Sequence, residues 1–220
     1  MLDKTRTEKP ATLERKTDIV IAPPNFQVAK VRLRGTAPYC TNKFSEKAKA
    51  AMVAKQLVGS QAKKGAKREP KDFESLYKGV FHIAEKGWYG VPAGAFRKAL
   101  VSACRTVNFK MTIAKLSLFI VHEGLDVDTG EPLVRIHGEP KRRDMHVILA
   151  NGAPDVLPRA FFDDWYIDLT LRWDADQFSA NDVINLLMRV GVQVGIGAGR
   201  PDSTNSTGMG WGTFDVEVAK

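Results

Sequence analysis

The chain contains no apolar run of the roughly 18–20 residues that a membrane-spanning helix needs. Its first 18 residues, MLDKTRTEKPATLERKTD, hold no apolar stretch of the secretory kind, so a cytoplasmic protein is the expectation. Cysteine is scarce. Cys40 and Cys104 are the only two, neither a disulfide framework nor at metal-ligand spacing, and both are expected reduced, with Cys104 buried on a helix. His82, His122, His137 and His146 form no HxxxH or HExxH pattern. Asp126 and Asp128 share only the first positions of a calcium loop. No P-loop occurs, and Gly195-x-Gly197-x-Gly199 lacks the spacing of a dinucleotide fold and follows a helix late in the chain. No Ser-His-Asp or Cys-His order is arguable. The residues therefore make no positive case for an enzyme, a cofactor or a metal.

What the chain does have is positive charge, unevenly placed. The 220 residues carry a net charge of +8, and nine Lys or Arg against two Glu lie between Lys43 and Lys71. That one stretch holds nearly all of the excess. A mobile Lys/Arg loop next to a helix suits non-specific phosphate binding, because each neutralised phosphate releases counterions. Lys43, Lys47, Lys63, Lys64, Lys67 and Arg68 are the candidate phosphate contacts, with Arg97, Arg105 and Arg142 as secondary candidates. Phe44, Phe73, Tyr77, Trp88 and Tyr89 interleave with cations and offer rings for stacking on bases. The alternative for the stretch is a solvated loop that keeps the chain soluble.

The second concentration is glycine. Seven of the eighteen glycines fall between Val190 and Val218. Such density means loop geometry that side chains would block, either a long bulged connection or a backbone cradle for phosphate, with Gly195, Gly197 and Gly199 approaching the ligand beside Arg200.

Hydrophobic spacing predicts a strand over Phe26–Arg34 with one break of phase, a helix over Lys43–Leu57, and a hairpin of Val80–Ile83 with Trp88–Val91. A helix over Ala93–Cys104 follows, started by Pro92. Lys115–Val121 and Leu133–His137 read as strands joined through Asp126–Gly130, and Met145–Leu149 as an edge strand. Trp165–Trp173 alternates as a half-buried antiparallel strand. Ser179, with Asp182, caps a helix that ends at a left-handed Gly191, before strands at Val192–Ile196 and Thr213–Val218. The expected fold is α+β, a ferredoxin-like or RRM-like antiparallel sheet with helices on one face. Residues 1–18 form a loose arm, and 19–220 a single domain with a basic insertion at about 43–72 after the first strand.

Gly195-Ile196-Gly197, Arg200-Pro201 and Gly210-Trp211-Gly212-Thr213-Phe214 together resemble the C-terminal signature of small uncharacterised phage-encoded proteins. Gly35-Thr36-Ala37-Pro38 and Tyr89-Gly90-Val91-Pro92 extend that likeness over roughly residues 30–218. A glycine-rich loop after a helix in a ferredoxin-like sheet is also similar to the RAMP superfamily, which includes the RNA-binding backbone subunits of CRISPR effector complexes. That resemblance implies an RRM-type fold bound along a single strand by adjacent subunits, in the host cytoplasm if the chain is phage-encoded. The superfamily's processing endonucleases use a histidine, and none of the four here can be matched to it.

The expectation is thus a non-enzymatic protein that coats or anneals single-stranded DNA or RNA as a homo-oligomer or filament, away from membranes. The rivals are a virion or assembly protein and a metal-independent endoribonuclease.

Overall fold

The computed structural model describes residues 21–41, 43, 49–50, 53–54, 57, 71–148, 152, 154–203 and 207–217. The predicted arm at 1–18 and most of the basic insertion lie outside them. The described residues of the insertion at 49, 50, 53, 54 and 57 are helical, as their alanine-rich surroundings predict.

In chain order the elements begin β1 (Phe26–Gly35), β2 (Tyr39–Cys40), α1 (Phe73–Lys78), β3 (His82–Ile83), β4 (Tyr89–Pro92) and α2 (Ala93–Ala103). A 3-10 turn (Cys104–Val107), α3 (Met111–Ser117), β5 (Leu118–Val121), β6 (Gly124–Leu125), β7 (Pro132–Arg135) and β8 (Pro140–Ile148) follow. The remainder is β9 (Pro154–Phe162), β10 (Tyr166–Asp174), α4 (Ala180–Arg189), a π-helical turn (Val190–Val194) and β11 (Phe214–Glu217). The described chain is therefore α+β with antiparallel sheets. None of its helices is long and apolar enough to cross a membrane.

β10 is the centre. Its alternation sends Ile167, Leu169, Leu171 and Trp173 into the core, while Asp168 and Arg172 face away. β1 pairs with it antiparallel from Phe26↔Asp174 to Arg34↔Tyr166 without interruption. The break of phase in β1 is therefore not a bulge. Ala29, Val31 and Leu33 turn inward, and Phe26 and Val28 are exposed on the opposite face. β11 and β5 complete a four-stranded sheet in the order β11-β1-β10-β5. Phe96, Leu100, Val183 and Leu187 of α2 and α4 join its inward residues in one core. Each such side chain contributes about 1.5–3 kcal/mol on burial. Ser179 and Asp182 form the predicted capping box of α4.

Three expectations are corrected. Lys115–Ser117, expected to open a strand, instead end the helix α3, where the Arg97 guanidinium donates to the carbonyls of Lys115 and Leu118 and satisfies the helix end. β5 and β7 are not partners: β5 pairs with β10, whereas β7 pairs with β4 and β6 in a second sheet. Residues 190–194 continue α4 as a π-turn rather than opening a strand, closed by Gly195 N–H donating to the Val190 carbonyl at 2.7 Å. Gly191 lies inside that turn, and its missing Cβ leaves room for the Phe214 carbonyl of β11.

No expectation covered β9, which has no strand-like alternation and two prolines. It pairs with β8 over nine residues, from Pro140↔Phe162 to Ile148↔Pro154. β2 covers its other edge only at Phe161 and Phe162, so Pro154 and Pro158 lie where the missing N–H interrupts no ladder.

Candidate functional site: a cationic groove

Pro92 ends β4 and starts α2 with no side-chain cap, and the inward face of α2 is used up by Phe96, Ala99, Leu100 and Ala103. Its outer face carries Gly94, Ala95, Lys98 and Ser102 as one wall of a groove of about 1200 Å³. The second wall is the end of the π-turn and the loop after it, Val194 to Gly197, with Arg200 and Asp202. His82, Thr129 and Glu131 also line it, as do Met111 and Lys115 of α3. Seven cations (Lys43, Lys49, Arg97, Lys98, Arg105, Lys115 and Arg200) line the groove against two carboxylates, Glu131 and Asp202.

The predicted contact residues divide sharply. Lys47, Lys63, Lys64, Lys67 and Arg68 lie outside the described residues. Lys43 is not a free phosphate contact. Its ammonium is buried and donates to Asp126 at 3.1 and 3.3 Å and to Asp128 at 2.6 Å. Burial works against its charge, but these carboxylates outweigh it and hold the Lys43 pKa above the ordinary lysine value. Arg105 is paired with Asp202 at 2.7 and 2.8 Å and also bonds Ser102. Arg142 lies outside the groove on β8, paired with Glu74 and Asp144 and over the rings of Tyr77 and Phe73. Arg97 has no ion pair among the described residues; its partners are neutral carbonyls and the Phe119 ring 5.0 Å away. Arg200 donates to the Gly197 carbonyl at 3.2 Å and has no ion pair among the described residues. Lys98 and Lys115, which the sequence reading left out, are exposed in the groove with no ion pair among the described residues.

Of the two readings that the glycine density offered, loop packing accounts for the contacts at Gly195, Gly197 and Gly199. At Gly197, where φ is +79°, an added Cβ would sit 2.5 Å from the Cys40 carbonyl and 2.6 Å from the Tyr39 ring. At Gly199 it would overlap the Trp211 indole, and at Gly195 it would meet Pro201 Cδ at 2.8 Å. The loop thus folds against β2 and against itself. Its glycines serve internal packing, and only Gly195 and Gly197 of the three also face the groove. The candidate stacking rings Tyr77 and Tyr89 likewise belong to the core edge, against Phe81 and Phe162.

The feature that sequence reasoning missed lies against His82, in the lining of the groove. Asp126, fully buried, accepts from Lys43, from His82 Nδ1 at 2.9 Å, and from the backbone N–H groups of Asp128 and Thr129 at 2.9 and 3.1 Å. Burial alone would raise its pKa; the backbone donors, Lys43 and His82 together hold it below the ordinary carboxylate value. Burial pushes His82 below the ordinary histidine value by more than Asp126 lifts it. Asp202 is also held low, first by Ser102 and then by Arg105. The Asp126–Asp128 spacing was visible in the sequence, but its partners lie 44 and 83 residues away. Among the described residues no group of three or more His, Cys, Asp or Glu is placed to hold a metal ion.

No protein-family model matches the chain, and no curated protein matches it.

Proposed function

We propose that the groove holds single-stranded nucleic acid and that the protein acts by binding it rather than by cutting it. The observation that carries this reading is that Arg97, Lys98, Lys115 and Arg200 line the groove with no ion pair among the described residues, in a volume above the roughly 300–1,000 Å³ of small-molecule clefts. Lys98, Lys115, Arg97 and Arg200 take the phosphates; Lys43 and Arg105 are committed to Asp126, Asp128 and Asp202. The basic stretch at 43–71 would add a second, sequence-independent attraction.

The strand order β11-β1-β10-β5, with a helix before β5 and another before β11, supports a ferredoxin-like reading of the central unit. Adjacent copies along one strand are part of this proposal. The outer edge of β8, nine residues long and unpaired among the described residues, supports it as a surface for chain-to-chain contact.

Fluorescence anisotropy with single-stranded DNA, single-stranded RNA and duplex DNA of one length, across a salt series, tests the reading. Binding to single strands that weakens steeply with salt is expected. No binding near physiological salt would move the reading to an assembly protein.

A further inference from the structure

The charged side chains that line the groove are mostly hydrogen-bond donors, ammonium and guanidinium groups that suit phosphate oxygens. Where His82, Thr129 and Glu131 line it, acceptors are present as well. There His82, on β3, forms part of the wall while its Nδ1 lies 2.9 Å from Asp126 Oδ2 behind it. Asp126 is ionised, because the Lys43 ammonium and two backbone N–H groups donate to the same carboxylate. An ionised carboxylate only accepts, so the proton of the His82–Asp126 contact belongs to Nδ1. In a neutral ring that leaves Nε2 with a bare lone pair. Nε2 makes no hydrogen bond to the described residues, and it is not among the sealed polar atoms of the interior. Glu131, which also lines the groove, is a second acceptor.

A phosphate oxygen has no proton to offer such a surface. A hydroxyl or an amine does. We propose that His82 Nε2 is a subsite for a hydrogen-bond donor of the bound strand, a sugar hydroxyl or a base amino group, whose flanking phosphates lie along Lys98 and Lys115. The inference rests on the groove reading above and adds to it a residue that reads the strand rather than merely attracting it. Asp126 is the positioning residue: it fixes the ring and its tautomer without touching the ligand.

The test uses the full chain and anisotropy at one salt concentration. Strands of one sequence carrying ribose, 2′-deoxyribose or 2′-O-methylribose separate the hydroxyl source. Deoxy strands of adenine or cytosine against N3-methylthymine, whose base has no N–H left to donate, separate the base source. One neutral hydrogen bond corresponds to about a three- to tenfold preference for strands that keep the donor. In His82→Phe, which keeps the ring and loses both nitrogens, that preference is expected to fall to near one while salt dependence persists. Equal affinity for all strands, or a preference unchanged in His82→Phe, would overturn the subsite.

Because the variant replaces a buried residue, a second measurement uses the native chain. Long-range ¹⁵N NMR is expected to show His82 protonated at Nδ1 alone, with the Nε2 resonance moving on saturation with a donor-bearing strand. A proton on Nε2 in the free protein, or an unmoved Nε2 resonance in the complex, would overturn it as well. If no strand of any kind binds, the groove reading itself falls and takes this inference with it.

Discussion

Replacing Asp126 with Asn removes the charge that Lys43 and His82 share. The carboxylate is fully buried and the Lys43 ammonium is nearly so, at 3% exposure. An amide has one acceptor oxygen and presents its NH2 to the other side, so either the ammonium or the imidazole N–H then faces a donor. Among the described residues Lys43 then keeps as a charged partner Asp128 alone, whose side chain is half in solvent. Breaking a buried pair in this way costs about 3–5 kcal/mol. For a chain of this size that corresponds to a fall of roughly 6–20 °C in the unfolding midpoint. Lys43→Met is the informative comparison. It leaves Asp126 with His82 and the backbone N–H groups of Asp128 and Thr129, so about 1–3 kcal/mol is expected. Thermal and urea unfolding of both variants, with the double variant, measure the asymmetry. Asp126→Asn within about 1 kcal/mol of the native chain, or Lys43→Met costing as much, would refute this account of the carboxylate as the common acceptor.

The same groups contribute to the pH response, beside His137, Asp168, Asp182 and Asp202, which are also held low. His82 and Asp126 are both held below their ordinary values of 6.5 and 3.8, so the unfolded chain binds protons more readily. Their contributions are complete above those values and are lost as pH falls below 6.5 and again below 3.8; Lys43, raised from 10.5, loses its contribution as pH climbs through its shifted value. Unfolding midpoints across pH check this, and Asp126→Asn should flatten the acid side. Lys98→Ala with Lys115→Ala should lower the salt slope of strand binding by about 1.4, at about 0.7 per lost contact to a single strand, without changing stability. Asp202→Asn removes one of two groove carboxylates and frees Arg105, so tighter binding is expected, read by the same titration. Gly197→Ala places a Cβ against Cys40 and Tyr39 at a positive φ and should cost at least the 1–3 kcal/mol typical of such strain, measured by urea unfolding.

Much of the central sheet was legible because its residues carry the pattern themselves. The alternation of Ile167 to Trp173, the apolar spacing of Phe96 and Leu100, and the Ser179–Asp182 cap are each local. The reading failed where tertiary partners decide. Met111 to Ser117 is helical because Arg97, from another helix, satisfies its carbonyls. β9 is a strand despite its prolines because most of one edge is left uncovered. In the groove, the sequence reading picked out Arg97 and Arg200 but passed over Lys98 and Lys115, whose charge differs in no local way from that of Arg105; only the position of Asp202 separates them. The glycine cluster was visible, yet its cause, the bulk of Tyr39 and Trp211, was not.

The position of β1 bears on how the chain reaches this state. Its neighbours in the sheet are β10 and β11, so Leu33 finds Ile167 and Val216 only after well over a hundred intervening residues have been made. Both edges of that ten-residue strand stay open until β10 and then β11 have been made, and neither can be closed by a local hairpin. Pairings at such separation are slow, so folding on the millisecond-to-second scale of non-local topologies is expected. The alternation of Lys30, Arg32 and Arg34 along one side of β1 then has an early use, keeping a waiting strand from pairing with its like.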